Sequence, residues 1–141
     1  MDRLILDRKL DSLQRCITRI TSKQPANVQV LLADIDLQDV LVLNISRAVQ
    51  ICVDLATHLL ANANLPPPNT MGEAFDQLAS LGVIDQTLAL RMKHAVGFRN
   101  IAVHAYSSID WNIVFAISTK HLEDFRSFAT AVLRSAHGST V

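Results

Sequence analysis

Apolar residues recur every three or four positions along nearly the whole chain, a spacing that suits helices and little else. Leu6, Leu10, Leu13, Ile17 and Ile20 form the stripe of a first helix, and Pro25 stops it. Residues 28–33 read as a short apolar turn leading into a long second helix over residues 37–61. That helix carries Leu41, Ile45, Ala48, Cys52, Leu55 and Leu59 on one stripe, with Leu43, Val49 and Val53 beside it, so it offers contact on two sides. Pro66-Pro67-Pro68 forms an extended connector too short to be a domain linker. Thr70 and Glu73 have capping-box spacing for a short third helix to residue 81, and Gly82 suits its left-handed cap. Asp85 caps a fourth helix running to residue 106, and Ser107-Ser108-Ile109-Asp110 interrupts the pattern. A last helix over residues 112–135 has Val114, Ile117, His121, Phe125, Phe128 and Val132 along one side. The prediction is one all-α domain over residues 1–141, an up-and-down bundle of four main helices plus a short one, frayed at 1–3 and 136–141.

Composition limits what such a bundle does. A chain of 141 residues supports one core without staples. Lys+Arg and Asp+Glu both number 13, so the formal net charge is +0. A generic basic nucleic-acid binder is excluded, and any nucleic-acid contact must come from a local patch. Hydrophobic residues make up 50% and charged residues 18%, too apolar for disorder and short of charge to cover the surface, which predicts a self-association face. Cys16 and Cys52 sit among apolar neighbours and read as reduced, buried thiols. The charged N-terminus lacks a secretory apolar region, and no stretch of about 18 uncharged apolar residues reads as a span. The expectation is a cytoplasmic protein without membrane contact.

The charges are unevenly placed. Between Asp85 and Asp110 there is no acid, while Arg91, Lys93, His94, Arg99 and His104 all fall there. A solvated basic face would give this pattern, and so would a phosphate site. At about 100° per residue, Arg99 and His104 lie roughly 140° apart on a regular helix and converge poorly on one phosphate. Convergence needs the helix to distort near its end, or a second chain to supply the partner. Arg and His together suit RNA cleavage without a metal. His takes a proton from the 2′-hydroxyl or protonates the leaving oxygen, and the Arg fork holds charge on the phosphorane-like transition state. Asn100 can hold the imidazole or the phosphate through its amide.

Arg99-Asn100-x-x-x-His104-x-Tyr106 resembles the motif of the HepT family of the HEPN superfamily, in which Arg, four to six residues, His, one residue and Tyr follow in order. Phe75-x-x-Leu78, Gly82-Val83-Ile84, Gly97-Phe98 and the second helix from Ile45 to His58 resemble the family too. The resemblance implies a HEPN-like homodimer with two motifs facing a shared cleft. It implies a metal-independent endoribonuclease, the toxin of a toxin–antitoxin pair, without cofactor. The partner it implies is an MntA-like nucleotidyltransferase antitoxin that transfers AMP to the motif tyrosine. Carried over by position, Arg99 and His104 are the catalytic pair, Asn100 supports them, and Tyr106 is the modified residue. Tyr106 is the only tyrosine, and an AMP there would block RNA by bulk and by like charge.

Arg47 and Lys93 are candidate RNA contacts beside this set, with the dimer seam as the other reading of Arg47 and plain surface as that of Lys93. Asp54 and His58, four apart, read as a polar pair rather than a metal site, which would need a further ligand. His94 extends the basic track or is plain surface, His121 reads as a core or interface histidine, and Trp111 as a packed ring. The alternative function is a non-catalytic HEPN subunit that helps a nucleotidyltransferase bind nucleotide or substrate, a role with no physical need for His104.

Overall fold

Side-chain caps set where most of the helices begin. In this computed structural model, which describes residues 2–138, Asp2 opens α1 (Arg3–Ser22), Asn27 opens α2 (Val28–Leu32) and Asp34 opens α3 (Ile35–Leu60) by accepting a backbone N–H in the first turn. Thr70, Asp85 and Asp110 do the same for α4 (Met71–Ser80), α5 (Gln86–His104) and α6 (Trp111–Thr119). The chain ends in α7 (Leu122–Gly138). Among the described residues there are seven α-helices, one short 3-10 turn at Tyr106–Ser108 and no strand. The expected all-α class holds, and Gly82 has the predicted positive φ of 77°. Thr70 caps α4 at the Glu73 N–H as expected, while the Glu73 carboxylate accepts from the Asn69 N–H at 3.2 Å rather than from Thr70.

Four boundaries depart from expectation. Val28–Leu32, read as part of a turn, forms a separate helix, α2, because the Asn27 side chain caps it at Val30. The predicted last helix is two helices. Ser118 and Thr119 both hydrogen-bond the Phe115 carbonyl, at 3.0 and 2.6 Å, and Gln24 Nε2 donates to the Ser118 carbonyl at 2.8 Å. Gln24 takes the carbonyl that the Leu122 N–H would use in a continuous helix, and the His121 N–H turns back to the Ala116 carbonyl at 3.0 Å, so the chain bends at Lys120 and His121. The fourth helix stops at His104, because Ala105 (φ −147°, ψ 55°) leaves helical geometry and Tyr106 begins the 3-10 turn. The terminal helices also reach into the segments expected to fray: α1 starts at Arg3 with Asp2 as its cap, and α7 continues through Gly138. Residues 1 and 139–141, expected to fray, lie outside the described residues.

Long α3 is the spine. Leu41, Ile45, Ala48, Val49, Cys52, Leu55 and Ala56 are buried on it, and α1, α4, α5 and α7 pack around it. By length and composition it is the one helix, among the described residues, able to cross a membrane, but 56% of its apolar window is buried inside the fold, as befits a core helix. Phe75 of α4 meets Phe128 of α7 edge-on, centroids 5.4 Å apart and planes at 74°. Both cysteines are buried and free, as expected, and burial pushes both thiols up.

The end of α5 positions the motif. Met92 and Val96 are buried on the core-facing side of α5. Seven residues further along the same two rows come Arg99, half-buried, and Val103, 53% exposed. The helix overshoots the core it packs on, so its last turn projects with the motif on it.

Candidate active site

Arg99 and His104 lie on one regular helix, and α5 does not distort between them. They point about 140° apart, as regular geometry requires. The break comes only after His104, where it redirects Tyr106 rather than His104. Of the two routes to convergence, the helical distortion is absent, and a second chain is what could bring an Arg99 to a His104.

The positive stretch is smaller than its sequence suggested. Arg91 Nη1 lies 3.3 Å from Asp124 of α7, and Lys93 Nζ lies 2.9 Å from Asp76 of α4. An acid-free run of sequence is therefore not an acid-free surface, because neighbouring helices supply the carboxylates. Arg99 has no carboxylate partner among the described residues, and its Nη1 donates to Asn100 Oδ1 at 3.2 Å. His104 is exposed and makes no hydrogen bond or ion pair among the described residues, which leaves both ring nitrogens open to a ligand. A free guanidinium, a neighbouring amide and a free imidazole are suited to an anionic phosphodiester.

Tyr106 is held differently. Its hydroxyl donates to Asp39 Oδ1 of α3 at 2.7 Å, and its ring meets Trp111 edge-on at 6.2 Å. Burial first, then the hydrogen bond and charge of Asp39, push the phenol up to about 12. The side chain stays 44% exposed and reachable from solvent. Asp39 was not predicted: it lies one turn into α3 after Asp34 and Asp36, where an acid reads as a helix-start residue, and no spacing links it to Tyr106.

The other candidates sit elsewhere. Lys93 is engaged with Asp76, away from the Arg99 row. Arg47 lies on α3 in a groove facing α1. Asp54 bonds Lys9 and Gln50 rather than His58, and no group of three metal-ligating side chains occurs among the described residues. His121 is not in the core; it sits half-exposed at the α6–α7 bend, 3.8 Å from Asp124, because the helix it was expected to stripe is broken there.

Residues 13–132 match the family model described as Ribonuclease HepT-like. The chain is 35% identical over 128 residues, 91% of its own length and 96% of the relative's, to an mRNA nuclease, HepT, of Shewanella oneidensis. It superposes with TM-score 0.87, at 34% identity over 95% of this chain and 99% of the other, on a tri-AMPylated Shewanella oneidensis HEPN toxin in complex with MNT antitoxin. A toxin–antitoxin structure with AMP-PNP matches at TM-score 0.84 and 33% identity, covering 94% of this chain and 99% of that one. YutE of Bacillus subtilis, at 14% identity and TM-score 0.82 over 99% of this chain and 93% of its own, shares the fold alone.

Proposed function

This chain belongs to the HepT-like ribonuclease family, and from that premise we propose that it is an endoribonuclease toxin, with mRNA as substrate class, silenced by a nucleotidyltransferase antitoxin that transfers AMP to Tyr106. The observation that carries the reading is the motif at the projecting end of α5: Arg99 without a carboxylate partner among the described residues, His104 without any, and Tyr106 reachable two residues on. Arg99 holds the non-bridging phosphate oxygens. His104 moves the proton as the 2′-oxygen bonds to phosphorus and the 5′-oxygen leaves, so the chemistry asks for no metal. Asn100 fixes the Arg99 fork.

The active unit is a cytoplasmic homodimer in this reading. Leu90, Gly97 and Ile101 lie within one stripe of α5, with Leu90 52% and Ile101 42% exposed, and His104 falls at the edge of that stripe. A second copy seated there covers the apolar surface beside His104. AMP on Tyr106 brings a bulky anion to the phosphate site and closes it to RNA.

Expression without antitoxin tests the reading. Wild type should arrest growth and degrade mRNA, and His104→Ala should do neither. Equal toxicity and equal RNA integrity for the two would exclude a nuclease and favour a non-catalytic partner of the transferase.

A further inference from the structure

A second basic feature lies away from the motif. Between α1 and α3 runs a groove of about 750 Å³, lined by Arg15, Arg19 and Arg47 with Leu43, Asn44 and Cys16 among the remaining residues. Lys9 stands at one end, but Asp54 already holds it at 3.3 Å. Among the described residues no Asp or Glu lines the groove. All three arginines are exposed. The guanidinium groups of Arg19 and Arg47 have no hydrogen-bond or ion-pair partner among the described residues, and that of Arg15 donates only to the Ser12 hydroxyl. Cys16, buried on α1, lines the groove with Arg15 of the same helix and Arg47 of α3.

The groove is continuous with the motif along α3. Asp39, Leu43, Arg47 and Gln50 fall within roughly 80° of one another around that helix, and Asp39 and Arg47 are separated by about 12 Å of rise. Asp39 is the residue Tyr106 bonds. One strip of α3 therefore begins at Tyr106 and ends among arginines that have no partner carboxylate.

We propose that the α1–α3 groove is a track for the RNA backbone, with Arg15, Arg19 and Arg47 as its phosphate contacts. The proposal rests on the nuclease reading for its ligand, and charge selects that ligand. Three unneutralised guanidinium groups in a neutral protein make a local anion field, and Arg forks bind phosphate oxygens in pairs. The remaining lining adds apolar and amide surface without a negative charge to repel a backbone.

The test uses full-length chain carrying His104→Ala, so that RNA survives, and a fluorescent single-stranded RNA followed by anisotropy over a salt series. Substituting Arg15→Gln, Arg19→Gln and Arg47→Gln together should weaken binding roughly tenfold or more. It should also flatten the slope of log K against log salt by about 2, since each single-strand phosphate contact contributes about 0.7. The matching Arg→Lys set should keep most of the slope, which separates charge from any effect on folding. An unchanged slope in the Gln set overturns the track. So does an unchanged slope with loss of antitoxin binding, which would assign the groove to an acidic protein surface. Cleavage of the same RNA by the wild-type chain, with all three arginines and His104 in place, is followed in parallel. Cleavage by wild type with an unchanged slope in the Gln set removes the track and leaves the nuclease, whereas a flattened slope in the Gln set with no cleavage by wild type removes the nuclease and leaves the track.

Discussion

Tyr106 Oη donates to Asp39 Oδ1 at 2.7 Å, joining the turn after α5 to the start of α3 across 67 residues of sequence. The bond fixes the motif tyrosine against the spine of the fold while part of its ring stays open to solvent. It also keeps the phenol protonated, with burial as the larger cause and Asp39 the second. The tyrosine is thus held neutral and in place, with its hydroxyl already committed to a partner that any acylating or phosphorylating group must compete with.

Asp39→Asn should lower the Tyr106 titration from about 12 toward, but not to, the ordinary 10, because burial remains after the charge is gone. The chain has one tyrosine, so phenolate absorbance reads this residue alone. The folded value lies above the unfolded one, so the folded state holds the proton more tightly. Its stabilising contribution is complete below about pH 10 and is lost as pH rises through about 12. Solvent at the exposed ring edge keeps that contribution small. An unshifted titration in Asp39→Asn would show that Asp39 does not hold the phenol.

Much of this was legible in the residues. Helix starts were readable because Thr70 and Asp85 are strong local caps whose effect ends within a turn. The break in the last helix was not, because it depends on Gln24 reaching the Ser118 carbonyl, 94 residues away in sequence. The motif residues were readable by type and spacing, and their 140° divergence followed from helical geometry alone. What spacing could not give was neutralisation across the bundle. Asp124 and Asp76 quench Arg91 and Lys93, while Arg15 and Arg19 pass for solvated charges of α1 until α3 places Arg47 opposite them.

Phe128→Ala should destabilise the fold by about 3–5 kcal/mol, since it empties a fully buried site and removes the edge-on contact with Phe75. Denaturant unfolding followed by circular dichroism measures it. His104→Ala, at an exposed position without partners among the described residues, should stay within about 0.5 kcal/mol of wild type in the same assay. A loss for His104→Ala comparable to that for Phe128→Ala would make its inactivity a folding effect.

Tyr106→Phe should abolish AMP addition by the neighbouring nucleotidyltransferase with ATP, read by intact mass. Phenylalanine keeps the ring and its contact with Trp111 but has no oxygen to bond phosphorus. RNA cleavage by Tyr106→Phe should persist and should no longer be silenced by the antitoxin's transferase activity. Undiminished AMP addition would move the modification to another side chain.

Mixing two inactive variants should restore activity. Arg99→Ala keeps His104, and His104→Ala keeps Arg99. If each site used both residues of one chain, every mixed dimer would be dead, and cleavage would stay at background. The undistorted α5 argues the other way, since Arg99 and His104 of one chain point apart and a partner must supply the missing group. A mixed dimer then holds one complete site and one empty one. At equal mixing half of the dimers are mixed, so cleavage should recover to about a quarter of wild type after subunit exchange. Each variant alone should fall by roughly 10²–10⁴-fold, the ordinary worth of an acid–base or oxyanion-stabilising group. Recovery on mixing, measured against the two separate variants on the same RNA, would place the cleavage site between chains; its absence after verified exchange would place it within one.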